Sequence, residues 1–368
     1  MTKVCHFTSS HNSDDTRVFY KECVSLAEAG YQVFLVAQGE SREEKGVHII
    51  GIGEKEKSRF HRMTEITKMV YEKALELDAD IYHFHEPELL PYGMKLKKRG
   101  KKVIFDSHEN TALAIAEKGY IPKPIRSVVQ NIYTSYEKKI CSRLDAVITV
   151  TPTQTFYFKT INSETTQVTN YPELPSHFSE PQFNTRDLVF AGGILEQWCH
   201  TVIIEAISRI PECNYILCGG DNAYRKSLEN IAGWEKVKYL GSVPHVKVSE
   251  ILSKATIGMA LLRPGMNTAW KTGTIGNTKI FEEMIAGLPI ICTNFDLWRE
   301  FVEKYKCGIC VNPEDVNEVK KAINMLLNDK KLCRTMGKNG QRAIREQFNW
   351  NVEKRNLIGL YERINNEY

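Results

Sequence analysis

The stretch Gly273-Thr-Ile-Gly-Asn-Thr-Lys-Ile-Phe-Glu-Glu-Met-Ile-Ala-Gly-Leu-Pro-Ile-Ile291 decides the fold of this chain. A glycine-containing loop leads into a segment that we predict to be a helix from about Asn277 to Gly287. A short apolar strand at Pro289–Cys292 follows at once. Loop, helix and buried strand in this order are the unit from which parallel α/β sheets are built.

The start of this helix has the chemistry of a diphosphate site. Free amides at Gly276, Asn277 and Thr278, with the positive end of the helix dipole, suit an anion, and Lys279 adds a full charge. Glu282 lies one turn further on, and its carboxylate offers two acceptors to the two vicinal hydroxyls of a ribose. The residues alone support a structural alternative equally well. In it, Glu282 is an acidic side chain that the helix dipole stabilises in the first turn, and the lysine forms an ordinary ion pair with a glutamate.

The same alternation of short apolar runs and helical segments extends in both directions from this stretch. Strands are predicted in the first half at Val4–Phe7, Gln32–Ala37, Val47–Ile50, Asp80–Phe84, Val103–Asp106 and Ala146–Val150. In the second half they are predicted at Leu188–Ala191, Tyr215–Cys218, Val237–Leu240, Ile257–Leu261, Pro289–Cys292 and Gly308–Val311. Helices are predicted between the runs, in the first half at Arg17–Ala29, Arg62–Leu77, Pro87–Lys98 and Pro124–Cys141, and in the second half, besides the one from Asn277, near Thr201–Arg209, Ala223–Ile231, Val248–Ser253 and Val316–Asn328. Because these helices separate the runs, the pattern predicts two parallel sheets of βαβ units.

A proline-bearing stretch separates the two halves. Pro172, Pro175 and Pro181 lie within twelve residues that have the composition of a linker. The chain ends in an amphipathic segment after Trp350, with apolar side chains at helical spacing.

Composition narrows the class of protein. The chain has 368 residues, of which 42% are hydrophobic and 26% charged, so disorder and fibrous repeats are excluded. A net charge of +4 is too small to argue for nucleic-acid binding. The polar N-terminus and the lack of an 18-residue apolar run predict a cytoplasmic protein, and the ten scattered cysteines are expected to be reduced.

Two basic clusters leave an alternative open. Lys95, Lys97, Lys98, Arg99, Lys101 and Lys102 form one, and Lys55, Lys57, Arg59 and Arg62 form the other. They are either solvated faces or a dock for an anionic membrane or an acidic substrate. The second reading places the protein at the inner face of the membrane.

Polar side chains follow three strands of the first half. His11, Asp15 and Arg17 come after the first strand, where they are suited to bind a sugar or a phosphate. The alternative is a local helix cap by an aspartate with a solvated arginine. His85 and His108 follow two later strands, and His83 shares a face with His85 because side chains alternate along a strand.

These motifs together resemble the retaining glycosyltransferases of the GT-B fold, family 4 type. The stretch after Thr278 is similar to a polysaccharide-biosynthesis subgroup whose motif reads Lys-(Leu/Ile)-Phe-Glu-x-Met-x-x-Gly-x-Pro. Glu282 matches the second glutamate of the family's pair, the ribose ligand, whereas the first falls on Thr274. The acid that usually contacts the donor sugar is therefore replaced.

The resemblance implies further donor ligands. Phe190-Ala-Gly-Gly-Ile matches the diphosphate loop with Gly192 and Gly193, although relatives often carry arginine at the second glycine and lysine at Trp198. Arg263 or Lys279 is then expected to supply the cation. Two further turns are expected to line the nucleotide pocket, one at Gly219 and the other, the base-binding turn, around Val243.

The N-terminal motifs match the same subgroup. Its Asp-x-Arg-Val-Phe pattern covers Asp15 and Arg17, and its paired-histidine and Asp-x-His-Glu patterns cover His85 and His108. The resemblance implies that His108 reaches the donor sugar, with Glu109 and Asp106 as further catalytic candidates. His11, Asp15, Arg17 and His85 are expected on the acceptor side.

The sequence is therefore identified as an α/β protein of the GT-B class, with two Rossmann-like doubly wound domains facing a central cleft. The resemblance implies that the final helix returns to the first domain, so the predicted domains are 1–175 plus 350–368, and 176–349. The first domain is expected to bind the acceptor and the second the nucleotide sugar. The resemblance implies a metal-independent hexosyltransferase that needs no cofactor. It would move a sugar, from a UDP-sugar by preference, to a glycan or lipid-linked glycan in capsule-type polysaccharide biosynthesis.

Three other functions compete with this interpretation. A nucleotide-sugar 2-epimerase shares the fold, but the acid–base carboxylates that it would need are not apparent. An NAD(P) oxidoreductase requires Gly-x-Gly-x-x-Gly after the first strand, where this chain has Thr8-Ser-Ser-His-Asn-Ser, and is excluded. A catalytically weak partner subunit remains open, because Thr274, Gly193 and Trp198 replace usual ligands.

Overall fold

A computed structural model describes residues 1–53, 61–117, 121–265 and 268–366 of the chain. Two compact units are present. The first contains Met1–Asn170 and Trp350–Tyr368, and the second contains Tyr171–Asn349. The second unit begins five residues before the expected boundary, because the Tyr171 ring packs edge-on against Phe281 and Phe348 at centroid distances of 5.0 and 5.4 Å.

The first unit is built on an eight-stranded sheet in the order β3-β4-β2-β1-β5-β6-β7-β8. Pairing is parallel except for β3 against β4. The strands are β1 Lys3–Asn12, β2 Gln32–Gln38, β3 Arg42–Glu44, β4 Val47–Gly51, β5 Ile81–Phe84, β6 Lys102–Ser107, β7 Ala146–Thr149 and β8 Thr165–Gln167.

Helices cover both faces of this sheet. Their bounds are Thr16–Cys23 (a π-helix) continuing into Val24–Glu28, Arg62–Ile66 (π) into Thr67–Glu76, Pro87–Leu89 (3₁₀) into Leu90–Lys97, Thr111–Glu117, Lys123–Ile125 (3₁₀) into Arg126–Cys141, Pro152–Lys159 and Trp350–Asn366. The predicted helices Arg17–Ala29, Arg62–Leu77, Pro87–Lys98 and Pro124–Cys141 lie within one or two residues of these bounds. The segment 54–60 lies outside the described residues.

The last helix belongs to the first unit. Its buried side chains Trp350, Leu357, Leu360, Tyr361 and Ile364 join the core cluster that covers one face of the sheet. Trp350 Nε1 donates to Ser25 Oγ at 3.0 Å, which anchors the start of the helix. The apolar side chains at helical spacing in the sequence are thus the face that this helix buries.

The second unit is built on a six-stranded, fully parallel sheet in the order β11-β10-β9-β12-β13-β14. The strands are β9 Asp187–Ala191, β10 Asn214–Cys218, β11 Val237–Gly241, β12 Ile257–Ala260, β13 Ile290–Thr293 and β14 Gly308–Val311. All six coincide with predicted strands to within one residue at each end. A parallel βαβ sheet of this kind places its ligand turns at the carboxyl ends of the strands.

The helices of the second unit have the following bounds: Glu196–Trp198 (3₁₀), His200–Ser208, Ala223–Ser227 into Leu228–Asn230 (3₁₀), Trp234–Lys236 (3₁₀), His245–Lys254, Lys279–Ile285, Asp296–Tyr305, Val316–Leu327 and Lys330–Glu346. The helix predicted from Asn277 starts two residues later, at Lys279. Within the described ranges, no helix combines the length and the apolarity needed to cross a bilayer.

Candidate functional site

Three turns at neighbouring strand ends meet in the second unit. β9, β10 and β11 are adjacent, and each ends in a glycine-bearing turn. The Gly192 amide donates to Cys218 O at 2.9 Å, and the Gly219 amide donates to Gly241 O at 2.8 Å. These bonds hold the turns together at one edge of the sheet, where the start of the Lys279–Ile285 helix joins them.

The turns and the helix line an open cavity of about 380 Å³, which we call the Lys279 cavity. Its lining residues are Ala191, Gly192, Gly193, Cys218, Gly219, Gly220, Ser242, Val243, Val248, Thr278, Lys279 and Glu282. Seven of the ten residues expected to bind the donor therefore line one space. Gly276 and Asn277 precede the helix, where Asn277 Oδ1 accepts from the Lys279 amide at 3.1 Å.

Lys279 is the cation of this cavity, and Trp198 is its partner. The ammonium Nζ lies 4.9 Å from the Trp198 ring centroid and 5.9 Å from that of Phe190, within cation–π range. Burial lowers the pKa of Lys279, which the nearby Glu282 and Glu283 carboxyls partly oppose. Trp198 stands where the family pattern has a basic residue. Instead of supplying a second cation, its ring thus contacts the Lys279 ammonium.

Gly192 makes room for the lysine. A Cβ atom at Gly192 would lie 1.8 Å from Lys279 Cε, so no larger residue fits while the lysine keeps this position. Gly219 is constrained in the same way, since its Cβ would lie 2.2 Å from Gly192 O. The glycines of the turns are therefore needed for packing as well as for ligand approach.

Arg263 does not line the Lys279 cavity. Its guanidinium bonds Glu314 at 3.1 Å and Glu196 at 3.3 Å on a half-exposed surface. Of the two cations proposed from the sequence, Lys279 lines this cavity and Arg263 does not. The sequence contained no signal for the two glutamate partners, which lie 51 and 67 positions away.

A second cavity, of about 720 Å³, lies in the first unit at the carboxyl ends of β1, β5 and β6. We call it the histidine cavity. Its lining residues are Ser10, His11, Arg62, Met63, His85, Glu86, Pro87, Glu88, Pro91, Phe105, Ser107, His108, Glu109, Thr111, Ile115, Ile121, Val129, Tyr133 and Tyr136. It brings together His11, His85, His108 and Glu109 from the expected set.

Asp15 and Arg17 have other positions. Asp15 caps the helix by accepting from the Arg17 and Val18 amides at 2.8 and 2.9 Å, and it also bonds His11 Nδ1 at 2.8 Å. Burial alone would lower the pKa of His11, but Asp15 and Glu86 outweigh it and raise that pKa. The aspartate is therefore a cap that also orients a cavity histidine.

Arg17 is buried and not solvated, which corrects the alternative considered from the sequence. It donates to Asp106 through Nη2 at 2.9 Å and to Val168 O through Nη1 at 2.9 Å, and its Nε lies 3.0 Å from Glu22 Oε1. Its guanidinium is thus engaged beneath the cavity, which excludes the direct acceptor contact expected for it in this conformation.

Asp106 is the buried anion under the histidines. Burial alone would raise its pKa, but Arg17, followed by the hydrogen bonds of His108 and His85, holds the pKa of Asp106 well below its usual range. His108 Nε2 lies 3.2 Å from Asp106 Oδ2. Burial and the Asp106 carboxylate raise the pKa of Glu22 well above its ordinary value.

Two sets of side chains are close enough to share a cation. One set is His6, Glu22, His83 and His85, and the other is His85, Asp106 and His108. Within each set, the nitrogen and oxygen atoms that could bind a cation lie within 4.8 Å of one another. Several of these atoms already bond one another: His6 Nδ1 to His85 Nε2 at 3.1 Å, and His85 Nδ1 to His108 Nε2 at 3.2 Å. Sequence reasoning missed His6 and Glu22, which lie mid-strand and on a helix.

Comparisons with known proteins agree with this architecture. Residues 177–343 match the family model described as "Glycosyl transferases group 1", and residues 16–163 match "Glycosyltransferase Family 4". The phosphatidyl-myo-inositol mannosyltransferase of Mycolicibacterium smegmatis is 21% identical over 92% of this chain and 87% of its own. That of Mycobacterium leprae is 22% identical over 78% and 74%.

Solved structures show the fold. Sucrose-phosphate synthase from Thermosynechococcus elongatus has a TM-score of 0.76 at 15% identity and covers 99% of both chains. Anabaena HepE, solved with UDP and glucose, has a TM-score of 0.73 at 13% identity over 99% of this chain and 100% of that one. The GT-B fold class expected from the sequence is thereby confirmed.

We expect Gly192→Ala to weaken binding of UDP at least tenfold, about 1.4 kcal/mol, because the added methyl displaces the Lys279 side chain. Isothermal calorimetry of the purified chain measures this. Gly265→Ala is the control, since its Cβ would meet no atom of the described residues within 4 Å. UDP affinity unchanged by Gly192→Ala would show that the lysine position is irrelevant to the nucleotide.

Proposed function

We propose that this chain, a glycosyltransferase of the GT-B type, transfers a hexose from a nucleoside-diphosphate sugar to a hydroxyl of a glycan or lipid-linked glycan. The observation that carries the proposal is the Lys279 cavity, where one ammonium and one carboxylate, Glu282, line a space bounded by three glycine-bearing turns. A volume of about 380 Å³ lies within the range of nucleotide-sized sites.

Each lining group has a role in this proposal. Lys279, the backbone at Gly192 and Gly193, and the amides of Asn277 and Thr278 hold the diphosphate, whereas the Gly276 amide already donates to Thr274 Oγ1 at 3.2 Å. Glu282 accepts from the ribose hydroxyls, and the turns at Gly219 and Val243 bound the base. Because Lys279 stabilises the charge that develops on the departing diphosphate, the reaction needs no metal ion.

The sugar is proposed to move with retained configuration and with UDP as the preferred nucleotide. HepE was solved with UDP-glucose, which supports a UDP-sugar donor. The mannosyltransferases among the relatives make a mannose donor the competing choice. His108 contacts the transferring sugar in this scheme, Glu109 is the second catalytic candidate, and His11, Asp15 and His85 support the acceptor hydroxyl. Arg17 acts only through Asp106.

A lipid-linked acceptor is supported by an exposed apolar stripe beside the histidine cavity. Val128, Ile132 and Tyr136 lie four residues apart on the helix Arg126–Cys141 and are 56%, 66% and 39% exposed. Tyr136 also lines the cavity. Basic residues at Lys123 and Lys138 flank the stripe. An apolar face with basic neighbours suits the surface of an anionic membrane.

The two basic clusters of the sequence support a membrane contact less strongly than the apolar stripe does. Lys97 is paired with Asp145 at 2.8 Å and Lys101 with Asp78 at 2.6 Å, so that cluster is partly neutralised. Lys55, Lys57 and Arg59 lie outside the described residues. The membrane contact that we propose, in capsule-type polysaccharide synthesis at the inner face, therefore rests on the stripe.

Turnover of the purified chain tests the function. UDP-, GDP-, ADP- and dTDP-sugars are offered with a simple glycoside acceptor, and the product anomer is read by NMR. We expect one nucleotide to support turnover, with the donor configuration retained and the rate unchanged in EDTA. Loss of activity in EDTA that Mg²⁺ restores contradicts the role given to Lys279, and no turnover with any donor supports a partner subunit instead.

Vesicle sedimentation tests the membrane contact. The chain should sediment with vesicles that contain phosphatidylglycerol, and Ile132→Glu should abolish this because a charge enters the apolar stripe. Met325→Glu is the matched control, since Met325 is 48% exposed in the second unit. Equal sedimentation of both variants and the parent chain contradicts a role for the stripe.

A further inference from the structure

Three histidines and one glutamate meet in the interior of the first unit. His6 lies on β1, in register with His83 of β5, and His85 follows the end of β5. Glu22 lies on the π-helix Thr16–Cys23. All four side chains are buried, and one possible metal-binding atom of each lies within 4.8 Å of those of the other three. We call this group the three-histidine cluster.

The π-helix brings the glutamate to this cluster. Side chains five residues apart point in directions about 140° apart on an α-helix, whereas the i→i+5 bonding of a π-helix brings them to one side. Arg17 and Glu22 have this spacing, and Arg17 Nε lies 3.0 Å from Glu22 Oε1. The same Nε lies 3.3 Å from Asp106 Oδ2. One guanidinium is therefore shared between two buried carboxyl groups.

Hydrogen bonds leave part of the three-histidine cluster unsatisfied. His83 Nε2 and both side-chain oxygens of Glu22 have no hydrogen-bond partner among the described residues. Asp106 Oδ2 lies 4.0 Å from His83 Nε2, which is beyond hydrogen-bonding distance. Buried polar atoms without partners are costly, and a buried carboxylate is costlier still. These unpartnered atoms point to a ligand that the four side chains hold between them.

The spacing of the cluster suits a small metal ion. Zinc binds imidazole nitrogen at about 2.0–2.1 Å, so two tetrahedral ligand atoms lie about 3.4 Å apart. His6 Nδ1 and His85 Nε2 are 3.1 Å apart. A hydrogen bond would satisfy these two atoms alone. An ion between them also serves His83 and Glu22, whose binding atoms lie within 4.8 Å of theirs.

The second nitrogen of each histidine faces an oxygen outside the cluster, as is usual for histidines that bind metals. The Tyr361 hydroxyl lies 3.1 Å from His6 Nε2 and 2.9 Å from His83 Nδ1. A hydroxyl oxygen has two lone pairs, so it can accept from both N–H groups. His85 Nδ1 lies 3.5 Å from Asp106 Oδ2. Each ring then keeps its lone pair on the nitrogen that faces the cluster.

We propose that the three-histidine cluster binds one zinc ion through His6 Nδ1, His83 Nε2, His85 Nε2 and the Glu22 carboxylate. Zinc accepts imidazole and carboxylate ligands, and four protein ligands are typical of its structural sites. Magnesium and calcium prefer oxygen ligands and fit this set poorly. Because the four ligands are buried, the ion is structural, and it ties β1, the end of β5 and the π-helix together.

The proposed zinc does not rest on the proposed function and is separate from the diphosphate site. The cluster belongs to the first unit, whereas Lys279 belongs to the second. Because the ligands are buried, we expect brief treatment with EDTA to leave the ion in place. A loss of activity in EDTA that Zn²⁺ restores and Mg²⁺ does not would therefore point to the cluster.

Metal analysis of the whole purified chain tests the site. After expression with Zn²⁺ in the medium, inductively coupled plasma mass spectrometry should find one zinc ion per chain. A chain without zinc, or with one equivalent of iron or manganese in its place, overturns the proposal.

The zinc affinity of variants, measured by competition with a chromophoric chelator, locates the ion. Glu22→Gln keeps the side-chain shape and removes the charge, and it should bind zinc about a hundredfold more weakly, since even the partner of a ligand is worth roughly 10–100-fold. His200→Gln is the matched control and should bind zinc like the parent chain. His200 is also buried and lies 2.9 Å from a tyrosine hydroxyl, but it belongs to the second unit. Equal affinity of Glu22→Gln and the parent chain overturns the proposal.

Tyr361→Phe is a milder variant that serves if Glu22→Gln folds poorly. It removes only the hydroxyl that faces His6 and His83, so zinc affinity should fall about 10–100-fold. Tyr31→Phe is its control, because the Tyr31 ring packs edge-on against Tyr361 at a centroid distance of 5.6 Å. Equal zinc affinity of Tyr361→Phe, Tyr31→Phe and the parent chain contradicts the site as described.

Thermal unfolding gives an independent readout. Prolonged dialysis against a chelator should lower the Tm of the parent chain by about 5–10 °C, the scale expected for loss of a tightly bound ligand. Added Zn²⁺ should restore the Tm, whereas Mg²⁺ should not. The Tm of Glu22→Gln should respond to neither treatment. An equal response of Glu22→Gln and the parent chain to Zn²⁺ would place the ion elsewhere and overturn the proposal.

Discussion

The buried ion pair between Arg17 and Asp106 is the interaction on which the first unit depends. Removing two charges from water is costly, and the pair is tolerable only because further partners satisfy both groups. Arg17 also donates to Val168 O, and Asp106 also accepts from His108. The pair therefore joins the helix after β1, the end of β6 and the segment after β8, and it holds one negative charge under the histidine cavity.

The second unit holds a positive charge at its cavity, and in the proposed function this charge meets the diphosphate of the donor. Lys279 lies over the Trp198 ring and fills the space that Gly192 leaves. An aromatic face stabilises the ammonium without neutralising it, whereas a carboxylate partner would compete with a phosphate. This explains how the cavity retains a cation although the basic positions of the family pattern carry Gly193 and Trp198.

The strands were predictable because apolar runs mark them, and the exceptions have physical causes. Arg42–Glu44 and Thr165–Gln167 are edge strands of polar composition, so they carry no apolar run. The helix Lys330–Glu346 was missed because it buries small residues. A Cβ at its Gly337 would lie 1.9 Å from Gly287 O, which shows how closely the two backbones approach.

The site was predictable only in part. Glycines after strands and a lysine at a helix start are local signals, and they do line one cavity. The burial of Arg17 was not predictable, because its partner lies 89 positions away. The sequence indicates that Trp198 replaces a basic residue and so removes a cation from the site. In the structure, the Trp198 ring contacts the ammonium of Lys279.

Hydrogen–deuterium exchange with and without UDP tests most directly the proposal that the Lys279 cavity binds the nucleotide of the donor. The account predicts slower exchange in peptides that contain 191–193, 218–220, 241–243 and 276–282, with no UDP effect on the histidine cavity around 85–88 and 107–111. Protection confined to the histidine cavity, with the Lys279 peptides unchanged, would contradict it.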